Sequence, residues 1–373
     1  MELEIKTLTP LWTGGVEAGK VDRIHETGLL GSLRWWYEAI VRGLGGEACD
    51  PSTGKCRFDA EAYEKSQADN ERQRLRDAGL CDVCQVFGAT GWRRRFRLEI
   101  GKDTTKQAWT PPPDMLNVRP PDRTRGWYLP PGRVGQVTMR FMGDDQALAL
   151  VAALFRFLER WGAIGAKPQL GYGVFAVDER AKVQQWANKW QWKVMGSQPL
   201  GGDTPDLRRF GFFSYRFTAA KGWWTRVPGL ERLLGRNDTA RALQQLVENG
   251  MLPVAPALKN KWRFEHWQGP PRVERFLFGT TMGPRIRSKL GVSWAYSTGN
   301  SWEVRGWVWL PEQDNQNHSI DSRLLQQIWQ GVRDIDIWQT TLKVADGALT
   351  CIPDAVWQPW TVQDVREFLE DSQ

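Results

Sequence analysis

Long apolar runs are missing from the sequence. The longest uncharged apolar stretch is Ala147–Phe155, whereas a membrane-spanning helix needs about 20 such residues. The first residues, Met1–Ile5, lack the basic region and the apolar core of a secretory signal. We therefore expect a cytoplasmic protein that has no membrane partner.

Residues suited to acid–base catalysis are scarce. The chain has three histidines, His25, His266 and His318, and it lacks H-E-x-x-H, G-x-S-x-G, paired-carboxylate and two-metal acidic motifs. His25 follows Asp22 and Arg23, and it is a candidate general base for RNA cleavage, although no second histidine lies near it in sequence. The sequence therefore predicts a protein that is not an enzyme, and an endoribonuclease that uses His25 is the alternative.

Cysteine is also infrequent, and its number is odd. The five cysteines and the missing secretory signal make a disulfide framework unexpected. Four of them form a pattern, in which Cys49-x6-Cys56 is followed after 24 residues by Cys81-x2-Cys84. A C-x2-C pair presents two thiolates at the spacing that tetrahedral Zn²⁺ prefers. The pattern predicts a structural zinc held by all four residues, and free thiols or a redox pair at Cys81 and Cys84 are the alternatives.

Positive charge is concentrated in one part of the chain. The sequence has 50 Lys and Arg against 43 Asp and Glu, which gives a net charge of +7. The segment Val86–Gly143 holds eleven of the basic residues and four of the acidic ones, so its balance equals the surplus of the whole chain. This distribution indicates a surface that binds a polyanion, and a solvated basic face is the alternative.

Length and turn-forming residues predict two domains. A chain of 373 residues exceeds the usual size of one domain, about 100–200 residues. The segment Gly196–Pro205 is rich in Gly and Pro and lies near the midpoint. We therefore place an N-terminal domain at 1–195, with a cysteine-rich insert at 45–90, and a C-terminal domain at 206–373, with a helical insert at Gly229–Asn249.

Apolar periodicity predicts a β-α-β-β-α-β order in the first domain and a looser copy of it in the second. The first set is strand Leu3–Leu8, helix Leu30–Leu44, strands Trp92–Ile100 and Val134–Met142, helix Gln146–Trp161 and strand Val174–Val177. The second set includes strands Phe212–Phe217, Ile286–Tyr296, Trp302–Leu310 and Thr340–Leu349 and helix Asp321–Gln330. Leu277–Arg287 also resembles Val86–Arg95 in sequence. The predicted fold class is α+β, with tandem ferredoxin-like (RRM-like) domains.

A glycine-rich loop follows the second predicted helix and is a candidate phosphate site. Glycine lets backbone N–H groups approach an anion closely, and a lysine adds charge. An ordinary helix end followed by a turn is the alternative. The candidate residues are Gly162, Gly165, Lys167, Gly171, Tyr172 and Gly173.

Further RNA-binding candidates lie on the first helix and on the basic segment. Arg34 and Trp35 are adjacent and therefore point about 100° apart on a helix, so one interpretation has Arg34 facing nucleic acid. Arg93, Arg95 and Arg97 would align on one face of a strand, and an edge protected by charge is the alternative. Trp35 and Trp92 are candidate platforms for base stacking.

Several of these motifs together resemble the RAMP superfamily of CRISPR effector subunits, specifically those of the Cmr, or type III-B, complex. The resemblance covers residues 1–175 and becomes loose in the second half. The motifs are Thr9–Gly15, Leu30–Tyr37, Cys81–Trp92 and Leu170–Gly173.

The resemblance implies a tandem ferredoxin-like subunit of a guide-RNA ribonucleoprotein that acts in antiviral defence. Its expected partners are the guide RNA (crRNA), the target RNA and other RAMP subunits of the Cmr complex. It implies contact with the 3′ part of the guide and the 5′ side of the target, and target cleavage by a different subunit. The alternatives are a RAMP endoribonuclease that processes repeat RNA through His25, and a scaffold that binds protein only.

Overall fold

The computed structural model describes residues 1–50, 54–121, 123–199, 203–352 and 360–372. Helices and antiparallel strands alternate along the chain, which confirms the predicted α+β class. Within the described residues, every helix is too short or too polar to traverse a lipid bilayer.

The first half contains an antiparallel four-stranded sheet and most of the cysteine-rich segment. Its strands are β1 (Glu2–Thr7), β2 (Phe96–Asp103), β3 (Lys106–Gln107), β4 (Leu116–Val118), β5 (Trp127–Leu129), β6 (Arg133–Val134), β7 (Gln136–Gly143) and β8 (Phe175–Val177). Its helices are α1 (Glu26–Gly43), α2 (Ala60–Lys65), α3 (Glu71–Asp77), α4 (Asp82–Phe87), α5 (Asp145–Trp161) and α6 (Arg180–Ala187). The sheet has the order β2-β7-β1-β8.

The second half builds a larger antiparallel sheet. Its strands are β9 (Phe210–Phe217), β10 (Met251–Leu252), β11 (Leu290–Val292), β12 (Ala295–Thr298), β13 (Ser301–Trp309) and β14 (Leu349–Cys351). Its helices are α7 (Asn237–Glu248), α8 (Ala255–Lys261), α9 (Pro271–Phe278), α10 (Ser322–Arg333), α11 (Ile335–Leu342) and α12 (Val362–Asp371), and a π-helical turn, Trp262–His266, continues α8. The sheet order is β10-β12-β13-β9-β14, and β11 pairs with β13.

Helix α1 follows from its apolar spacing. Leu33, Trp36, Ile40 and Leu44 are all at most 1% exposed and form the buried face. The ring of Trp36 packs against aromatic side chains from both halves, because α1 lies between the two sheets.

Strand β9 is buried on both faces. Alternate side chains of a strand point to opposite faces. Phe210 and Phe212 join the core around α1 and α5, whereas Phe213 and Tyr215 join a second core with Trp338 of α11. The second sheet is therefore enclosed between the helices of both halves.

Helix α12 returns from the C-terminus to the first half. Phe368 packs on Phe157 and Trp161 of α5. The indole N–H of Trp161 donates to Oγ of Ser372 at 2.9 Å. The end of the chain thus completes the apolar core of its beginning.

Arg305 of β13 also joins the halves. Its guanidinium is buried and donates to the carbonyl oxygens of Glu159 and Gly162 at the C-terminal end of α5. A cation at this position is favourable, because the last carbonyl groups of a helix lack intrahelical partners.

Some predicted strands differ from the observed elements. The strand predicted at 92–100 begins only at Phe96, because Gly88 and Gly91 form a turn with positive φ before it. The strand predicted at 340–349 is wrong: residues up to Leu342 complete helix α11, and β14 starts at Leu349. The domain boundary at 196–205 stays a prediction, and its residues 200–202 lie outside the described residues.

Candidate RNA interface and cysteine site

Four cysteine thiols come together in the insert. Cys49 follows α1, Cys56 precedes α2, and Cys81 and Cys84 lie at the start of α4 and within it. Their sulfur atoms all lie within 4.8 Å of one another, and those of Cys49 and Cys84 are 3.5 Å apart. Tetrahedral zinc with Zn–S bonds of about 2.3 Å requires S···S distances of about 3.8 Å. The geometry therefore fits one four-coordinate ion.

Backbone and thiol donors surround the cluster. The N–H of Cys49 donates to Sγ of Cys81, and the N–H of Cys81 donates to Sγ of Cys56, each at 3.4 Å. Hydrogen bonds from the Cys84 thiol and from the backbone of Cys49 lower the pKa of Cys81, although burial opposes this. Four thiolates would leave no open coordination position, so a metal here would be structural.

Arg34 faces this cluster, and its contact with nucleic acid stays a prediction. Its Nη2 donates to Sγ of Cys84 at 3.2 Å, its Nη1 to the carbonyl of Gly88 at 3.2 Å, and its Nε to Glu38 at 2.9 Å. The cysteine insert covers this side of α1. The guanidinium therefore donates to protein groups through all three of its nitrogen atoms, and the side chain is 21% exposed.

A groove of about 300 Å³, called here the first groove, lies along another face of the N-terminal half of α1, about 100° around the helix from Arg34. Its floor is formed by Gly28, Gly31 and Ser32 of α1, and Trp35 lies at its side. A Cβ atom added to Gly31 would meet nothing within 4 Å, so the glycine keeps the groove open. The remaining walls are Gly165–Gln169 from the glycine-rich loop, and Arg287, Ser288, Leu290 and Gly291 from the second half.

Two cations and one aromatic ring are available in the first groove. Lys167 is partly buried over the ring of Trp12 at 4.3 Å, and burial lowers the pKa of its ammonium group. Arg287 is exposed. Trp35 is partly exposed and packs edge-on against Trp36. The groove can therefore present positive charge and a ring face to a ligand.

The glycine-rich loop does not form the predicted phosphate nest. The N–H groups of Gly162, Gly165, Gly171 and Gly173 donate to Leu158 O, Ser32 Oγ, Pro168 O and Pro10 O. A Cβ at Gly173 would lie 2.0 Å from the carbonyl oxygen of Ile164, and φ is +87° there. These glycines are required by close backbone packing, because only glycine fits such positions without strain.

Tyr172 is likewise a core residue and not an RNA contact. Its side chain is fully buried between Trp12 and Trp294, and its hydroxyl donates to the carbonyl of Pro130 at 2.6 Å. Of the predicted residues in this loop, Lys167 and the backbone around Gly165 line the first groove.

The predicted row of arginines is not a row. Arg93 and Arg95 precede β2, so the alternation of a strand does not apply to them. Arg93 is exposed, Arg95 pairs with Glu71 at 2.8 Å, and Arg97 pairs with Glu99 at 2.8 Å. Trp92 packs on Phe58, and its indole N–H donates to the carbonyl of Gln85 at 3.0 Å.

Lys259 lies behind the first groove, and sequence reasoning missed it. Its buried ammonium donates to the carbonyl oxygens of Gln169 and Leu290, the latter at 2.7 Å, and so joins the two walls. Sequence reasoning also missed Arg287. The similarity of Leu277–Arg287 to the Arg-bearing segment Val86–Arg95 could have indicated Arg287 as a candidate.

His25 lies just before α1. Its Nε2 is 2.8 Å from Oδ1 of Asp22, and the pair is partly exposed beside the first groove. A His–Asp pair of this kind can transfer a proton.

Residues 4–176 match the sequence model of the RAMP superfamily. The match covers somewhat less than half of the chain. A comparison with curated proteins gives no match.

Solved structures give weak likenesses. One is the crystal structure of apo Cmr1 from Pyrococcus furiosus, with a TM-score of 0.45 and 14% identity over 96% of this chain and 99% of that one. Another is a cryo-EM structure of type III-B Cmr-beta bound to cognate target RNA and AMPPnP in the presence of ssDNA, with a TM-score of 0.41 and 11% identity over 90% of this chain and 99% of that one.

Proposed function

We propose that the chain is a non-catalytic RNA-binding subunit of a type III-B CRISPR effector. In this role it corresponds to the first-numbered RAMP subunit of the Cmr complex. It contacts the 3′ part of the guide RNA and the 5′ side of the target RNA, and it assembles with other RAMP subunits in the cytoplasm. The family match over residues 4–176 supports the superfamily role, and the four motifs described above support the type III-B assignment.

The observation that carries RNA binding is the composition of the first groove. Lys167 and Arg287 supply charge for the phosphate backbone, and Trp35 offers a ring for one base. These are the groups with which proteins bind single strands without sequence preference. In guide-directed recognition, base pairing reads the sequence, and the protein needs only such general contacts.

The test of this proposal is the salt dependence of RNA affinity. The paired substitutions Lys167→Asn and Arg287→Gln should lower the log–log salt slope for single-stranded RNA by about 1.4, because each phosphate contact contributes about 0.7. Asparagine suits position 167, because φ is 63° there. Lys65→Gln with Lys182→Gln, two exposed lysines on the insert and on α6, is the matched control. A wild-type slope near zero would contradict RNA binding.

The type III-B assignment has a separate test. The tagged chain, purified from its own cells, should bring with it guide RNAs and other RAMP subunits. Recovery of protein subunits whose association survives ribonuclease treatment and high salt, without any RNA, would favour the protein-only scaffold.

The non-catalytic role is tested with the purified chain and repeat RNA in the presence of a chelator. No cleavage is expected. Cleavage that persists without metal and falls by about 10²-fold in His25→Gln, a typical loss for a general base, would establish the endoribonuclease alternative.

We also propose that Cys49, Cys56, Cys81 and Cys84 hold one structural zinc ion. The convergence of four thiols within 4.8 Å supports this. The ion would hold the insert against α1, because Arg34 already contacts two of the four sulfur atoms.

A further inference from the structure

The two halves repeat one local arrangement in detail. Gly88 ends α4 with φ 85° and ψ 157°, and Gly279 ends α9 with φ 84° and ψ 160°. An added Cβ at Gly88 would meet Trp92 O and Arg94 N, and one at Gly279 would meet Ile286 O and Ser288 N. The turns after the two Phe-Gly pairs therefore close in the same way.

An arginine from an earlier helical segment contacts each of these turns. Nη1 of Arg34 donates to the carbonyl of Gly88 at 3.2 Å, and Nη1 of Arg263 donates to the carbonyl of Gly279 at 2.9 Å. Each arginine also donates through Nε to a glutamate, although Glu38 lies on α1 itself and Glu274 lies on α9. Position 34 of α1 thus corresponds to position 263, so α8 with its π-helical turn is the counterpart of α1.

This correspondence places a second groove in the second half. The α1 positions 28, 31 and 32 form the floor of the first groove, and they correspond to Ala257, Asn260 and Lys261. These three residues line a separate groove of about 290 Å³, called here the second groove. It occupies the site that the repeat predicts.

A lysine with a left-handed backbone completes each groove. Lys167 has φ 63° and lies between α5 and β8, and Lys343 has φ 58° and lies between α11 and β14. Each lines the groove of its own half. The glycine-rich sequence around Lys167 is not repeated around Lys343. The sequence alone therefore does not indicate that the two lysines correspond.

The walls of the second groove carry an excess of positive charge. Arg123, Lys261 and Lys343 line it together with one acidic residue, Glu265, which pairs with Lys261. The guanidinium of Arg123 lies 3.5 Å from the ring centre of Phe264. Phe264 corresponds to Trp35, is 38% exposed and adjoins the groove through Arg123. The guanidinium of Arg263 also lies over its ring, 5.0 Å from the ring centre.

Asn260 adds an unsatisfied polar group. It is 8% exposed, and its Oδ1 has no hydrogen-bond partner among the described residues. A buried amide oxygen without a partner is costly. Such an atom at the base of a basic groove indicates that a hydrogen-bonding ligand or its bound water belongs there.

We infer that the second groove binds a further stretch of single-stranded RNA. Lys261, Lys343 and Arg123 contact the phosphate backbone, and the Phe264–Arg123 stack receives a base. This inference rests on the proposed function and adds a second RNA-contacting surface, formed mostly by residues that the family match does not cover.

The test compares paired variants of the two grooves in the full-length protein. Lys261→Gln with Lys343→Asn should lower the salt slope for oligouridine binding by about 1.4. Lys65→Gln is a matched control for the helical ion pair, because Lys65 and Glu61 are paired at the same i,i+4 spacing. Thermal unfolding of each variant excludes a loss of fold as the cause.

The outcomes separate this inference from the proposed function. If only the first-groove variant lowers the slope, the inference is overturned and the proposed function stands. If wild-type affinity is independent of salt, both fail.

A photo-crosslinking experiment is independent of charge. Oligouridine containing 4-thiouridine should crosslink to two peptides of the wild-type protein, one with Trp35 and one with Phe264. Crosslinks at Trp35 alone, with an oligonucleotide long enough to cover both grooves, would also overturn the inference.

Discussion

Nη2 of Arg34 donates a hydrogen bond to Sγ of Cys84 at 3.2 Å. This contact joins helix α1, another face of which forms the floor of the first groove, to the four-cysteine cluster. The cluster and the first groove therefore contact two faces of the same helix. A substitution in the cluster should affect the groove through α1.

Removal of one cysteine should release the metal. Cys81→Ser is expected to lose about one zinc per chain, because a closed four-thiolate site depends on every ligand. Elemental analysis measures this, and limited proteolysis should show increased cleavage across residues 45–90. Cys351→Ser, outside the cluster, should keep the zinc. Wild-type protein that is purified without chelator and contains no zinc would contradict the site.

Loss of Arg34 should destabilise the protein without changing its phosphate contacts. Arg34→Gln removes hydrogen bonds from a charged donor to Gly88 and Cys84, which should cost about 1.5–3 kcal/mol of unfolding free energy. Urea unfolding measures the loss, and Arg97→Gln, 73% exposed, should change it by less than about 0.5 kcal/mol. A lower salt slope for RNA in the folded variant would show that Arg34 does contact phosphate.

The two candidate stacking residues should behave differently. Trp35→Leu is expected to weaken RNA binding by about 1–3 kcal/mol, the contribution of one stacked base. Trp92→Leu should reduce stability and leave RNA affinity nearly unchanged, because its ring packs on Phe58 and its N–H is bonded to Gln85. Fluorescence anisotropy at fixed salt compares the two. Equal losses of affinity would reject this assignment.

Tyr172→Phe tests the conclusion that Tyr172 is a core residue. The variant leaves the Pro130 carbonyl without its hydroxyl donor and should lower the unfolding free energy by about 1 kcal/mol. RNA affinity should stay within about twofold of wild type, since a fully buried side chain does not reach the ligand. A selective loss of RNA binding at unchanged stability is the contrary result.

Stability should depend on pH through Lys259. Burial and then the charge of Arg263 lower the pKa of Lys259 to about 7 from an ordinary value of 10.5. Between these values the unfolded chain binds a proton that the folded protein lacks, so the unfolding free energy rises with pH, by at most about 1.4 kcal/mol per unit. Lys259→Met should lack this rise. Denaturant titrations at pH 7, 8 and 9 measure it, and parallel curves for the two proteins would contradict the prediction.

Local pattern was sufficient for much of the fold and for the cysteine site. The spacing of Leu33, Trp36 and Ile40 predicted a helix and its buried face, because apolar residues at helical spacing lie on one face. The C-x2-C pair predicted a cluster, because its two thiols are fixed by a single helical turn. The other two cysteines join it through the path of the insert.

Features that depend on distant segments were not predictable in this way. The position of Arg34 in the helix predicted the face of α1 on which it lies. It did not predict that the cysteine insert would cover that face. No local pattern shows which groups bond to the backbone N–H groups of the glycine-rich loop. In the fold, the N–H of Gly173 donates to Pro10 O, and the N–H of Gly165 donates to Ser32 Oγ. The first groove needs Arg287, more than 100 positions further along the chain, and no local pattern connects it to Lys167.

The burial of β9 on both faces and the return of α12 make the order of synthesis matter. When only the first half of the chain has left the ribosome, the apolar surface around Trp36 and Phe157 is exposed. Phe212 and Phe368 cover this surface in the folded protein. The nascent first half is thus an aggregation-prone intermediate until the last helix emerges. A chain cut between its halves after folding should remain associated, whereas the two halves expressed apart should not be soluble.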